Sequence, residues 1–276
     1  MAINSINTNS GSITALQNLN ASAMALQKTQ DRVSTGLAIG SSKDNGAIWG
    51  IAQNSRASIS ALDSVKQSLQ RAQSTVDVAV SAGQTISDLL NQIKQKVLAG
   101  TDTSLDATSR TALNSDVTAM ISQIKKTVAN ADFNGVNMVK TSGASIYALA
   151  NASGTSQLTV AAANLGVGGG RVTFTAAASF TSATTASTLL ALVNNSITNV
   201  NASVALMGTG SNALATHLNF ISTLQDTLTQ GVGNLVDADI AKESATLTAL
   251  QTKQQLGVQA LSIANTSKST LLALFR

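Results

Sequence analysis

The chain has 276 residues, no proline, no cysteine, 3% aromatic and 11% charged residues, and a net charge of +4. Lacking cysteine it has neither disulfides nor thiolate metal sites, and lacking proline its helices can run long, since proline in a helix interior costs roughly 3 kcal/mol. The lysines are interleaved with Asp31, Asp44, Asp63 and Asp88, the densest clusters being the pairs Lys94/Lys96 and Lys125/Lys126, so the positive balance forms no stripe for nucleic acid.

Residues 1–35 read as an amphipathic helix after a polar start, with Ile6, Ile13, Leu16, Leu19, Leu26 and Val33 on one broad face. The opening has no basic residue before Lys28 and no apolar block, so no secretory signal is expected. No run of about 18 apolar residues occurs, so no membrane insertion is expected either. Gly36, Gly40, Gly46 and Gly50 make residues 36–55 a turn-rich connector. A long helix over about 56–99 follows. Its apolar positions alternate in steps of three and four: Leu62, Val65, Leu69, Ala72, Val76, Ala79, Gly83, Ile86, Leu90, Ile93 and Val97. That rhythm averages 3.5 residues per turn and keeps one seam facing a partner helix.

Gly100 stops this helix, and a shorter one over about 105–130 uses Leu113, Val117, Met120, Ile121, Ile124 and Val128. Asn134-Gly135 is a hairpin-turn signal. From 141 to 185 short strands are expected at Ser145–Leu149, Gln157–Ala161 and Arg171–Thr175, with Arg171 the only charge. A second long helix, about 187–235, repeats the rhythm through Leu190, Val193, Ile197, Val200, Val204, Met207, Ser211, Leu214, Leu218, Ile221, Gln225, Leu228, Val232 and Leu235, where only Ser211 and Gln225 are polar. A last amphipathic helix, about 238–276, carries Ile240, Leu247, Leu250, Leu261, Ala264, Leu271 and Phe275. The expected fold is mainly α, an elongated hairpin-like rod in which the end helices pair, the long helices pack with the shorter one, and a small β-rich insertion sits in the middle. Each long run would extend roughly 50–70 Å.

Candidate chemistry is sparse. His217 is the only histidine and lies inside the second apolar series. Zinc needs three or four ligands, so this residue reads as structural. Gly166–Gly170 lacks the following Gly-Lys-Ser/Thr of a phosphate loop and reads as a turn. Asp237, Asp239 and Glu243 are placed to favour the start of the last helix rather than to hold a cation. Lys94/Lys96 reads as a solvated face. No catalytic, cofactor or metal residue is expected, and the protein is not expected to be an enzyme.

Several segments resemble bacterial flagellin. They are Ile6-Asn7-Thr8-Asn9, Ala15-Leu16-Gln17-Asn18-Leu19-Asn20, Ser34-Thr35-Gly36-Leu37 with Ser42-Lys43-Asp44-Asn45-Gly46-Ala47, Asp132-Phe133-Asn134-Gly135-Val136, Asp237-Ala238-Asp239 and the closing Leu271-Leu272-Ala273-Leu274-Phe275-Arg276. Six motifs in the right order cover roughly 1–140 and 187–276, and 141–185 matches nothing comparable. The resemblance implies a filament subunit for swimming motility: residues 1–40 with 236–276 as the inner coiled-coil domain, 41–140 with 186–235 as the middle shell, and 141–185 facing outward. It also implies export in unfolded form through the flagellar type III machine to the extracellular filament. The implied partners are further copies of the chain, other flagellin copies, hook-associated and cap proteins, an export chaperone and the export apparatus. A hook–filament junction protein of related fold and a cytosolic helical scaffold are the alternatives. The resemblance further makes Thr173, Thr175, Ser179, Thr181 and Ser182 candidate O-glycosylation sites. In that family an animal innate immune receptor binds the first long helix at a Leu-Gln-Arg-Val-Arg-Glu-Leu-Ala-Val pattern. Here Leu90-Asn91-Gln92-Ile93-Lys94-Gln95-Lys96-Val97-Leu98 stands at that place.

Overall fold

The computed structural model describes residues 8–273, with side chains for residues 8–266. Ile6 and Phe275 therefore lie outside the described residues, as does the side chain of Leu271. The chain is mainly helical, with α1 (Ser10–Thr35), α2 (Gly46–Gly100), α3 (Ala107–Asn130), α4 (Ala183–Val236) and α5 (Ile240–Ala273). Its one regular sheet among the described residues is the antiparallel pair β1 (Ile146–Leu149) and β2 (Gln157–Val160), with Ile146 opposite Val160. The chain divides into two compact units, a terminal one of Met1–Ala57 with Thr227–Arg276 and a central one of Ser58–Asp226.

In the terminal unit α1 starts where the Asn9 side chain accepts from Ser12 N at 3.1 Å, leaving fewer orphan amides in the first turn. It ends at Gly36, whose φ of 73° suits glycine and whose N–H bonds Arg32 O at 2.9 Å. The expected connector over 36–55 is shorter than its glycines suggest. Asn45 accepts from Ala47 N at 3.1 Å and from Ile48 N at 3.2 Å, capping α2 at Gly46. With that cap in place the helix tolerates Gly46 and Gly50, each of which costs about 1 kcal/mol relative to alanine. A two-residue bridge between Leu37 and Asp237 joins the exit of α1 to the start of α5.

In the central unit Asp106 caps α3 by accepting from Thr108 N and Ser109 N at 2.8 and 2.9 Å. The bonds from Ser109, backbone first, hold the Asp106 carboxyl below its ordinary pKa. A depressed carboxylate contributes stability at pH above its unfolded value and loses it as pH falls through the folded value. Asp106→Asn, which keeps the cap without the charge, is therefore expected to flatten the acid end of the thermal-melt profile below about pH 4. Past α3, Asn137 is buried and closes the turn. Its Nδ2 donates to Val128 O at 2.7 Å, and its Oδ1 accepts from Val139 N and Lys140 N, both at 2.9 Å. Asn134 and Gly135, at φ 52° and 80°, make the expected tight turn between the paired Phe133 and Val136.

The expected third strand, Arg171–Thr175, is not one. A single bridge joins Val167 to Val172. The Thr173 backbone N–H instead donates to Ser196 Oγ at 2.9 Å, and Thr173 Oγ1 donates to Leu192 O at 3.0 Å. Thr173 thus bonds α4, and the neighbouring Val172 carbonyl accepts from Gly168 N at 3.0 Å, in place of a strand ladder. Residues 138–180 supply Met138, Leu165, Phe174 and Phe180 to the core. Phe180 fits because Gly100 has no side chain: a Cβ there would lie 2.4 Å from the ring. Ser182 and Thr185 then cap α4 reciprocally, Ser182 N donating to Thr185 Oγ1 at 3.0 Å and Thr185 N to Ser182 Oγ at 3.2 Å.

Candidate functional site

The α2 series is buried along its length. Leu62, Val65, Leu69, Ala72, Val76, Ala79, Ile86, Leu90, Ile93 and Val97 are all closed to solvent. Gly83 lets α4 approach closely, since a Cβ there would sit 2.5 Å from Val204 Cγ2. On α4 the buried face is turned relative to the expected series. Val193, Val200, Met207, Leu214 and Ile221 are buried, while Ile197, Val204, Leu218 and Leu228 are half-buried on one flank.

The other flank carries Ser196, Ser203, Gly210 and His217 at heptad spacing, small or polar residues that an apolar count passes over. Ser196 and Ser203 are buried. A Cβ on Gly210 would lie 2.8 Å from both methyls of Val160. His217 Nε2 donates to Ala150 O at 2.8 Å, and its ring lies 5.7 Å from that of Phe220. This flank thus receives residues 150–173, which explains the rotation. His217→Ala is expected to lower the melting stability of the central unit by about 1–3 kcal/mol, the cost of an unpaired buried carbonyl, with filament yield unchanged. Lost assembly at wild-type stability would refute this reading of His217.

The terminal unit is built differently. α1 and α5 run antiparallel, with Arg32 Nη1 3.0 Å from Glu243 Oε1, Asn9 Nδ2 donating to Ala264 O at 3.0 Å, and Ser12 bonded to Asn265. Leu19, Leu26, Val33, Leu247, Leu250 and Leu261 are half-buried. On α1 only Ser22 and Thr29 are buried. Ile13 and Leu16 stand half-exposed, and the pair also turns outward Met24, Leu256, Val258 and Ile263, at 68, 59, 55 and 69% exposure. Leu256 and Ile263 escaped the sequence reading because a single stripe per helix was sought, and they lie off it. An apolar surface this rich needs a partner.

The remaining sites are quiet. Asp239 accepts from Lys242 N at 3.1 Å, as expected of a helix start, and Glu243 is spent on Arg32. Lys96 pairs with Asp116 at 2.7 Å, and Lys94 is exposed. Among the described residues no cluster of histidine and carboxylates could hold a metal, and no helix is long and apolar enough to cross a membrane. Thr173, Thr175, Ser179, Thr181 and Ser182 are exposed. The hydroxyls of Thr173 and Ser182 are engaged in the bonds to α4 and its cap.

Comparison with known proteins joins these features to one family. The bacterial flagellin N-terminal helical region matches residues 6–144, and the bacterial flagellin C-terminal helical region matches residues 190–275. The chain is 52% identical to flagellin FljM of Caulobacter vibrioides over 276 residues, all of both chains. It is 35% identical to a flagellin of Brucella melitensis, covering 99% of each. The crystal structure of Bacillus cereus flagellin superimposes with a TM-score of 0.50 at 22% identity, over 56% of this chain and 88% of that one, a likeness of fold. The chain therefore belongs to the bacterial flagellin family, whose members are the structural subunits of the flagellar filament.

Proposed function

We propose that the terminal unit is the principal assembly surface, with Ile13, Leu16, Met24, Leu256, Val258 and Ile263 packing against neighbouring copies inside the filament. The observation that carries this is the imbalance between the units. The central unit closes over a core that includes Leu69, Ile86, Leu90, Ile93 and Met207, although Leu98, Tyr147, Leu206 and Phe220 stay exposed, whereas among the described residues the helix pair of the terminal unit fully buries no apolar side chain. Burial on neighbours offsets the ordering cost of these helices. Residues 1–40 with 236–276 form the inner layer, 41–140 with 186–235 the next shell, and 141–185 the outward face, where Thr175, Ser179 and Thr181 are the accessible hydroxyls for O-glycosylation. The chain leaves the cell unfolded through the flagellar export apparatus with its chaperone and meets other flagellin copies, hook-associated and cap proteins outside. It performs no catalysis and binds no nucleic acid.

The absence of cysteine makes a direct test available. Leu256→Cys is expected to cross-link between copies in assembled filaments and not in dilute monomer. Filaments in which Leu256→Cys stays reactive to a soluble maleimide would refute the assignment. Sheared cell-surface filaments should contain the chain in abundance, which a junction protein or a cytosolic scaffold would not.

The exposed face of α2 carries a second expectation. Gln92 stands where the family's receptor contact has arginine, and Lys96, committed to Asp116, stands where it has leucine. Glutamine lacks arginine's planar fork of charged donors. Each change costs on the order of 1–2 kcal/mol at a hot spot, so purified monomer is expected to activate the innate immune receptor weakly. Reporter cells responding as they do to an enterobacterial flagellin would contradict this.

A further inference from the structure

Within the central unit α2 and α4 run antiparallel, and exposed polar bonds cross between them at three levels. Gln225 Nε2 donates to Asp63 Oδ1, Ser211 Oγ to Asp77 Oδ1, and Ser87 Oγ to Asn201 Oδ1, each at 2.7 Å. From Asp63 to Asp77 the chain advances 14 residues on α2 while the partners step back 14 on α4; from Asp77 to Ser87 it advances 10 while they step back 10. The register is therefore constant, with no stutter, over this whole stretch. Lys66 Nζ adds a 3.3 Å bond to Gln225 Oε1 at the first level.

Away from the close approach of Val204 to Gly83, the apolar seam does little to fix that register. Leu62, Leu69, Val76, Leu90 and Val97 repeat every seven or fourteen residues, so a slip of one heptad places aliphatic groups on aliphatic groups. Apolar burial is non-directional and scales with area, so the slipped seam is nearly as well buried. The polar levels respond differently. A slip of seven residues in one direction sets Asp77 against Leu218 and Asp63 against Val232; in the other it sets Asp77 against Val204 and Asp63 against Leu218. Each carboxylate then exchanges a hydrogen-bond donor for an aliphatic side chain. Polar residues at coiled-coil seam positions fix register in this way, here at the solvent-exposed edge of the seam.

We propose that Ser211 and Gln225, the only polar interruptions of the α4 series, specify the register of α4 on α2 by selecting Asp77 and Asp63. Their role is choice of pairing rather than net stabilisation, and it is independent of how copies assemble.

Spin labels at Gln95→Cys and Asn219→Cys, both exposed, report the register in a chain with no other cysteine. The two sites lie about 40 Å apart along the pair, and a one-heptad slip changes their separation by about 10 Å. The labelled parent is expected to give one distance by pulsed electron resonance. Ser211→Leu with Gln225→Leu makes the seam wholly apolar. It is expected to add a second distance displaced by about 10 Å while the melting temperature holds or rises. Asp63→Ala with Asp77→Ala attacks the same bonds from α2 and is expected to give the same second population. A single parental distance in whichever variant folds, or failure of both to fold, would overturn the proposal.

Discussion

Ile221→Asp is expected to abolish the cooperative fold of the central unit. Ile221 is 1% exposed and sits on the buried face of α4, in heptad step with Leu214 and Met207. A carboxylate there has no cation within the buried layer, which is lined by Leu, Val, Ile and Met. Burial of an unpaired charge costs more than the several kcal/mol that hold a domain of this size together. The structure offers no cheap relief, because rotating the residue outward would lift the seam residues on either side of it. Circular dichroism should show a broad, non-cooperative melt, and limited proteolysis should cut within Ser58–Asp226. Leu69→Ala, also fully buried, is the graded comparison, with a loss of about 2–5 kcal/mol and the fold retained. A sharp melt for Ile221→Asp within a few degrees of the parent would refute the assigned core.

Removal of residues 262–276 is expected to separate folding from assembly. The deletion takes away Ile263, Ala264 and Asn265, and with them the bonds to Asn9 and Ser12. It leaves the central unit untouched. A soluble, helical monomer that forms no filament is the expected product. Hydrogen exchange on the full chain gives the complementary result. Residues 1–35 and 240–276 should exchange quickly in the monomer, since side chains on this helix pair are mostly half-buried or exposed, and become protected in the filament. Normal filaments from the shortened chain, or strong monomer protection of both terminal segments, would contradict this view of the terminal unit.

The helical architecture was legible because periodicity records which face of a helix is buried, and here it ran unbroken by proline for more than forty residues at a time. On α2 each apolar member of the series is buried. α4 departed from the expected series by one flank, for a definite reason. Ser196, Ser203, Gly210 and His217 are buried or half-buried by close approach and hydrogen bonding, and neither leaves a hydrophobic signature. The Arg171–Thr175 segment alternates like a strand, yet Thr173 at its centre bonds Ser196 and Leu192 of α4, a partner choice made in three dimensions. Gly46 and Gly50 suggested a loop, but the Asn45 cap extended α2 through them. In the terminal unit Leu19 and Leu26 are half-buried, while Leu256 and Ile263 stand exposed off the stripe that the sequence suggests.

The hairpin of β1 and β2 has one more implication, which concerns chain length. Leu149 and Gln157 stand opposite each other at its loop end, so the loop leaves and returns across a gap of about 5 Å. Ser153, Gly154 and Thr155 at the tip are exposed. Closing a longer loop across so small a gap adds only about 0.6 kcal/mol for each doubling of its length. Downstream the fold is pinned independently, by Val160 on Gly210 and Phe180 on Gly100. Extra sequence at Ser153–Thr155, from a short epitope to a self-folding domain, can therefore be accommodated at the hairpin tip without disturbing the packing of α2, α3 and α4.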